Sequence, residues 1–226
     1  MTTMNTPIKV YVPNLPSRTD RKQTIQKQFE GKRLFDVNIV KPVEHTVAST
    51  SLWRTFIGIV EQEQHCESDF FIFCEDDHVF TGDFSEEFLL QCIDRARELK
   101  ADILSGGFSW YDMPVHVSEH LFWVKRFTGM QFTIVFSKFY STILESDVKG
   151  SKVLDLYLST LSDDILVMSP YISLQHEFGY SDVTKKNNVQ GFVDERFDTH
   201  RKRLDILRKV RASFEAMTAN DARSII

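Results

Sequence analysis

Residues 70–80 of the chain read FFIFCEDDHVF, from Phe70 to Phe80. Phe70, Phe71, Ile72, Phe73 and Cys74 form an unbroken apolar run. A short run of this kind reads as a strand buried on both faces, the habit of parallel sheets covered by helices. It leads straight into Glu75, Asp76 and Asp77. In an open α/β sheet the ligand site lies outside the carboxyl ends of the strands, so three acids at this place read as part of a site. Adjacent carboxylates repel unless positive charge lies between them. With oxygen ligands alone, the partner that this reading suggests is a hard divalent cation. The competing reading is an acidic turn that faces water. Successive side chains on a strand point opposite ways, so Glu75 and Asp77 share a face and Asp76 opposes them, unless the chain has already turned at Asp76.

Outward from this strand the pattern alternates between strands and helices. Ile8–Val12 is rich in β-formers and is broken by Pro13-Asn14-Leu15-Pro16. Thr19 or Asp20 is expected to cap a helix running to about Phe29, and 34–40 reads as the second strand. Ser49-Thr50-Ser51 offers caps for a helix to about Gln64, with Leu52, Phe56, Ile59 and Val60 on one face. After the acidic strand, Asp83 or Ser85 caps a helix whose stripe is Phe88, Leu89, Cys92, Ile93, Ala96 and Leu99. Short strands follow at 101–104, 129–136 and 166–168, and helices at 138–146 and 153–161. The stretch 108–125 is less regular and carries Trp110, Tyr111 and Trp123. This order predicts an α/β fold with a mostly parallel twisted sheet flanked by helices, a Rossmann-like nucleotide-binding half.

Two units are expected: residues 1–190 as the α/β domain, and 191–226 as a basic helical tail. In that tail Arg201, Lys202, Arg203, Arg208, Lys209 and Arg211 accompany an apolar stripe of Leu204, Leu207, Val210, Phe214 and Met217. Residues 201–217 therefore read either as a peripheral contact with an anionic membrane surface or as a helix packed on the domain. The 226 residues and 42% hydrophobic content support a real core, and a net charge of −5 gives no sign of a nucleic-acid partner. Cys66, Cys74 and Cys92 are odd in number and form no C-x-x-C pair, which predicts reduced thiols and a cytoplasmic protein. No signal peptide and no membrane span is expected from the apolar runs.

Four blocks, in order, resemble glycosyltransferase family 25, the bacterial lipooligosaccharide galactosyltransferase family. Asn14-Leu15-x-x-Arg18-x-Asp20-Arg21-Lys22 is similar to its opening N-L-x-x-R-x-D-R-R, and Glu75-Asp76-Asp77 to its E-D-D. Gly129–Ser137, GMQFTIVFS, resembles its glycine-led strand block, and Asp155 with Pro170, Gln175 and Ser181 its closing D…P…Q…S pattern. Residues 48–53, ASTSLW, depart from the family's Ser-His at that point.

The resemblance implies a GT-A-like fold and a metal-dependent inverting transfer. A sugar, galactose in the family, would move from a UDP-sugar donor to a saccharide or lipid-linked saccharide acceptor in lipopolysaccharide or related cell-surface glycan synthesis. Such an enzyme would be cytoplasmic or peripheral on the inner face of the membrane, with Mn²⁺ or Mg²⁺ as cofactor. A metal bridging the diphosphate would stabilise the leaving charge. Asp77 is the first candidate ligand, with Glu75 or Asp76 second and His176 recruited from later in the chain; His78 and Asp182 are further candidates. Asp155 matches the family's late aspartate and is the candidate general base, with Asp163-Asp164 as the rival pair. Asn14, Arg18, Asp76 and Gly106 are candidates for donor binding, with Arg21 and Lys22 behind them. The alternative function is a catalytically inactive GT-A-like protein that binds nucleotide or metal without transfer.

Overall fold

The strand Phe70–Cys74 is buried at all five positions, and its side chains alternate between two cores. Phe71 and Phe73 enter one apolar layer, while Phe70, Ile72 and Cys74 enter the other. The sheet it belongs to is therefore covered on both faces, as its unbroken apolar sequence requires. The computed structural model describes residues 6–146, 153–180 and 189–223.

In chain order the strands are β1 (Ile8–Pro13), β2 (Phe35–Val40), β3 (Phe70–Cys74), β4 (His78–Phe80), β5 (Ile103–Ser105), β6 (Trp110–Asp112), β7 (Val115–Ser118), β8 (Leu121–Trp123), β9 (Arg126–Thr128), β10 (Phe132–Phe136), β11 (Ile165–Met168) and β12 (Ser173–Gln175). The helices are α1 (Thr19–Phe29), α2 (Ala48–Glu63), α3 (Glu86–Glu98), α4 (Tyr140–Glu145), α5 (Leu154–Leu161) and α6 (Phe192–Arg223). The main sheet has the order β2-β1-β3-β10-β5-β11-β8-β7. It is mostly parallel; β10 and β8 run against the others. The antiparallel run of β10, with Phe132 opposite Cys74, carries its leading residues Gly129–Gln131 to the edge where β1 and β3 end. Two small sheets, β12-β4 and β6-β9, lie beside it.

One layer takes Ile25 and Phe29 from α1 with Leu89, Cys92, Ile93 and Ala96 from α3. The other takes Phe56, Ile59 and Val60 from α2, Leu154 and Leu158 from α5, and Val193, Phe197 and Leu204 from α6. The first half of α6 thus shares the core of the sheet. Farther along, Ile206, Val210, Phe214 and Met217 are each 60–67% exposed. Among the described residues no helix is long and apolar enough to cross a membrane. The cysteines are free thiols, with Cys74 and Cys92 buried.

Two local expectations are corrected. Ser85 does cap α3, its hydroxyl accepting from Phe88 N, but α1 and α2 begin at Arg18 and Val47 with no side-chain cap. Ser51 lies inside α2 and donates to Val43 O. The stretch 108–125 contains the strands β6, β7 and β8, each too short for alternation to reveal.

Candidate active site

The acids after β3 sit on a turn. His78 N donates to Glu75 O at 3.2 Å, so the chain has left strand geometry by Asp76. Asp76 and Asp77 consequently converge on one cation. Arg21 Nη1 donates to Asp76 Oδ1 at 2.8 Å and to Asp77 Oδ2 at 3.0 Å, and Nη2 donates to Tyr180 O at 2.9 Å. Asn14 Nδ2 donates to Asp76 Oδ2 at 2.9 Å. Asn14, expected to meet the donor, is buried and spends its amide on the acid turn. Arg18 lines the cleft described below, with its guanidinium 4.4 Å over the Tyr180 ring.

Two amides join the acids to the small sheet. Gln131 Nε2 donates to Glu75 Oε2 and to Gln175 Oε1, both at 3.1 Å, and Gln175 Nε2 donates to Asp77 Oδ2 at 3.1 Å. Gln175, the last residue of β12, turns its side chain to the acids, and His176 lies just past the strand. His176 is exposed, with its ring 4.7 Å from Phe178, and does not line the cleft. His78 is a core histidine: its ring packs on Phe132 and Phe80, Nδ1 pairs with Ser173 Oγ at 2.7 Å, and burial holds its pKa down to about 3.

Asp155 stands in the first turn of α5. Its Oδ2 accepts from Gly129 N and its Oδ1 from Leu156 N, both at 2.7 Å. Gly129 adopts φ +97°, a backbone angle that favours glycine, and a Cβ there would lie 2.5 Å from Gln131 Oε1 and displace the end of that side chain. Asp155, Glu75, Asp76, Asp77, Arg18 and Arg21 line one cleft of about 710 Å³, a volume typical of small-molecule sites. Leu15, Pro42, Leu52, Val153 and Leu156 form its apolar wall.

Arg196 also lines this cleft, from the second turn of α6, and had no signal in any sequence block. It donates to Ser109 O and Thr128 Oγ1 at 3.4 and 3.3 Å. The carboxylate of Glu177 seats that helix by accepting from Gly191 N and Val193 N at 2.6 and 2.7 Å.

Other candidates lie elsewhere. Gly106 is buried outside the cleft: its carbonyl accepts from Ile172 N and Ser173 N, and a Cβ would sit 3.0–3.2 Å from Ile172, Ser173 and Phe132. It serves the packing of two chain segments. Asp163 and Asp164 precede β11, at the amino end of a strand, where they pair with Lys125 and Lys138. Of the aromatic residues in the irregular stretch 108–125, Tyr111 is buried with its hydroxyl on His200 O, Trp123 donates to Asp163 O, and these rings and that of Trp110 stand outside the cleft lining. Asp182 and Ser181 fall outside the described residues.

Burial, with the other carboxylates, pushes Glu75 well above the ordinary range. Burial also raises Asp77 from 3.8 to about 6 against the pull of Arg21. Between those two values the folded state keeps a proton that the unfolded chain has lost, so this contribution to stability falls as pH rises from about 4 to about 6. The shift of Glu75 has the same sign. Glu75→Gln removes one repelling charge and keeps an acceptor for Gln131. Its Tm at pH 7 is expected to lie about 2–4 °C above the parent, for roughly 1 kcal/mol, with the gap closing in acid. Thermal unfolding across that pH range reads the effect, and a lower Tm at pH 7 would refute it.

The implied Mn²⁺ or Mg²⁺ does not fit these residues. Among the described residues no three His, Cys, Asp or Glu side chains converge as a metal-binding group, and Glu75, Asp77 and His176 do not meet. Asp76 and Asp77 already share the charge of Arg21.

No family model and no curated protein matches the chain. Solved structures do. A197 from STIV is 13% identical over 78% of this chain and 87% of that one, with a TM-score of 0.53. A glycosyltransferase involved in the glycosylation of the major capsid of PBCV-1 is 9% identical over 74% and 83%, at 0.47. An apo UDP-glucose pyrophosphorylase is 13% identical over 86% and 80%, at 0.43. At this identity the likeness to A197 is one of fold, and the two with TM-scores below 0.5 carry no further weight.

Proposed function

We propose that the chain is a glycosyltransferase that moves a sugar from a UDP-linked donor to a hydroxyl of a saccharide or lipid-linked saccharide. The observation that carries this reading is the pairing of Asp155, held by two backbone N–H groups, with the Glu75–Asp77 turn in one cleft at the carboxyl ends of β1 and β3. The acceptor oxygen attacks the anomeric carbon, the bond from that carbon to the diphosphate oxygen breaks with inversion, and the diphosphate departs with the electron pair. The acceptor proton passes to Asp155. Burial raises the pKa of that carboxyl, which suits a base, while the Gly129 and Leu156 N–H groups hold it ionised and oriented. Arg18 and Arg196 line the cleft where the departing charge must be met. Galactose as the sugar and cell-surface glycan as the product rest on the resemblance to family 25. The exposed stripe of α6 supports a peripheral contact with anionic membrane, which vesicle flotation tests.

Thermal unfolding with UDP, GDP, UDP-galactose and UDP-glucose tests the donor site. A ligand at a hundredfold excess over its Kd adds about 2.7 kcal/mol, or roughly 5–10 °C for a chain of this size. Shifts with the UDP compounds are expected. No shift with any nucleotide would overturn the reading, and binding without transfer to any acceptor would favour the inactive binding protein.

A further inference from the structure

We propose that Arg21 is the built-in counter-cation of the acid turn, and that the cleft binds its nucleoside diphosphate without a divalent metal. The inference rests on the donor-site reading above. Three adjacent carboxylates need positive charge among them, and a guanidinium placed by α1 supplies it. Its side chain is 8% exposed, and both terminal nitrogens of the guanidinium are bonded, while Nε has no partner among the described residues. Two carboxylates and the Tyr180 carbonyl take its protons, and its carbon lies 4.8 Å from the ring centres of both Phe178 and Tyr180. An arginine so held stays charged at every accessible pH and keeps its planar fork in register with the carboxylates.

Four of the six carboxylate oxygens of the turn already accept hydrogen bonds. Asp76 Oδ1 accepts from Arg21, Asp76 Oδ2 from Asn14, and Asp77 Oδ2 from Arg21 and Gln175. Among the described residues Asp77 Oδ1 is buried without a partner, and Glu75 is tied at one oxygen to Gln131. A dication that completed its shell with diphosphate oxygens and water would still need these carboxylates, and here it would stand beside a fixed cation. The positive charge that a diphosphate meets in this cleft comes from Arg18 and Arg196, both of which line it.

Isothermal titration of the full chain with UDP, in EDTA and again with Mn²⁺, tests the proposal, together with Mn²⁺ alone on the parent and on Arg21→Gln. The expected result is a UDP Kd that agrees within about threefold between the two buffers, no Mn²⁺ binding to the parent, and Mn²⁺ binding gained by Arg21→Gln, whose carboxylates have lost their counter-charge. A UDP affinity at least tenfold weaker in EDTA would overturn metal independence and leave the donor site standing. No UDP binding in either buffer would overturn both. A folded Arg21→Gln that binds no more Mn²⁺ than the parent would show that the arginine is not what excludes the metal, and would overturn its assigned role. Where Arg21→Gln fails to fold, the two UDP titrations of the parent still decide.

Discussion

Asp155→Asn is expected to bind UDP as the parent does, within about threefold, and to transfer sugar about 10²–10⁴-fold more slowly. The carboxylate of Asp155 accepts one N–H on each oxygen. An amide has one accepting oxygen, so Asn must turn its NH₂ toward Gly129 N or Leu156 N, and it cannot take a proton from an acceptor at all. The first consequence costs about 1 kcal/mol of stability and the second the chemistry. The two separate cleanly when kcat, Tm and the UDP Kd are measured together. In the parent, the rate falls in acid as Asp155 is protonated. Because burial raises that carboxyl, the fall is expected above the ordinary aspartate range and is absent from the residual activity of Asp155→Asn. Undiminished transfer by Asp155→Asn would remove it as the base.

The second large effect is structural. Gly107→Ala is expected to destabilise the chain by about 3 kcal/mol, lowering Tm by roughly 6–12 °C. A Cβ at Gly107 would stand 2.4 Å from Ser173 O and 2.9 Å from the Tyr171 ring. Neither neighbour yields easily. Ile172 N and Ser173 N are bonded to Gly106 O, Ser173 is paired with Phe80, and Tyr171 is wholly buried. The segment that must shift carries Gln175 and its bonds to Gln131 and Asp77, so weaker nucleotide binding should accompany the lost stability. Gly58→Ala is the control: it lies in α2 with nothing within 4 Å of the added carbon, and should hold or slightly raise Tm. Equal Tm for Gly107→Ala and the parent would refute the packing account.

The sheet was legible wherever burial wrote itself into local pattern. β3 reads as a strand because all five residues are apolar, and α3 because its stripe has helical spacing and Ser85 stands at its start. The role of Arg21 was not read, though a trace of it exists. Arg21, Ile25 and Phe29 follow one another at four-residue steps and are the buried face of α1. An arginine in line with an apolar stripe needs a buried anion; its partners lie 55 and 56 positions away, beyond any local window. His176 was read as a ligand, but β12 ends at Gln175, whose side chain faces the acids, and His176 just beyond it is exposed and does not line the cleft. Arg196 was hidden for another reason: it belongs to a stretch whose many basic residues drew attention to its charge, while its placement depends on Glu177 and on Val193 and Phe197 entering the core.

The place of β10 has a consequence for how the chain is made. β3 and β5 do not touch; β10 lies between them and pairs with both. During synthesis, which proceeds from the amino terminus at about 5–20 residues per second, the two sides of the sheet emerge with their inner edges open. Each is a row of unsatisfied N–H and C=O groups, the kind of edge to which other chains adhere. Those edges close when residues 132–136 clear the ribosome, so a chain stalled or truncated before that point is the form most in need of a chaperone.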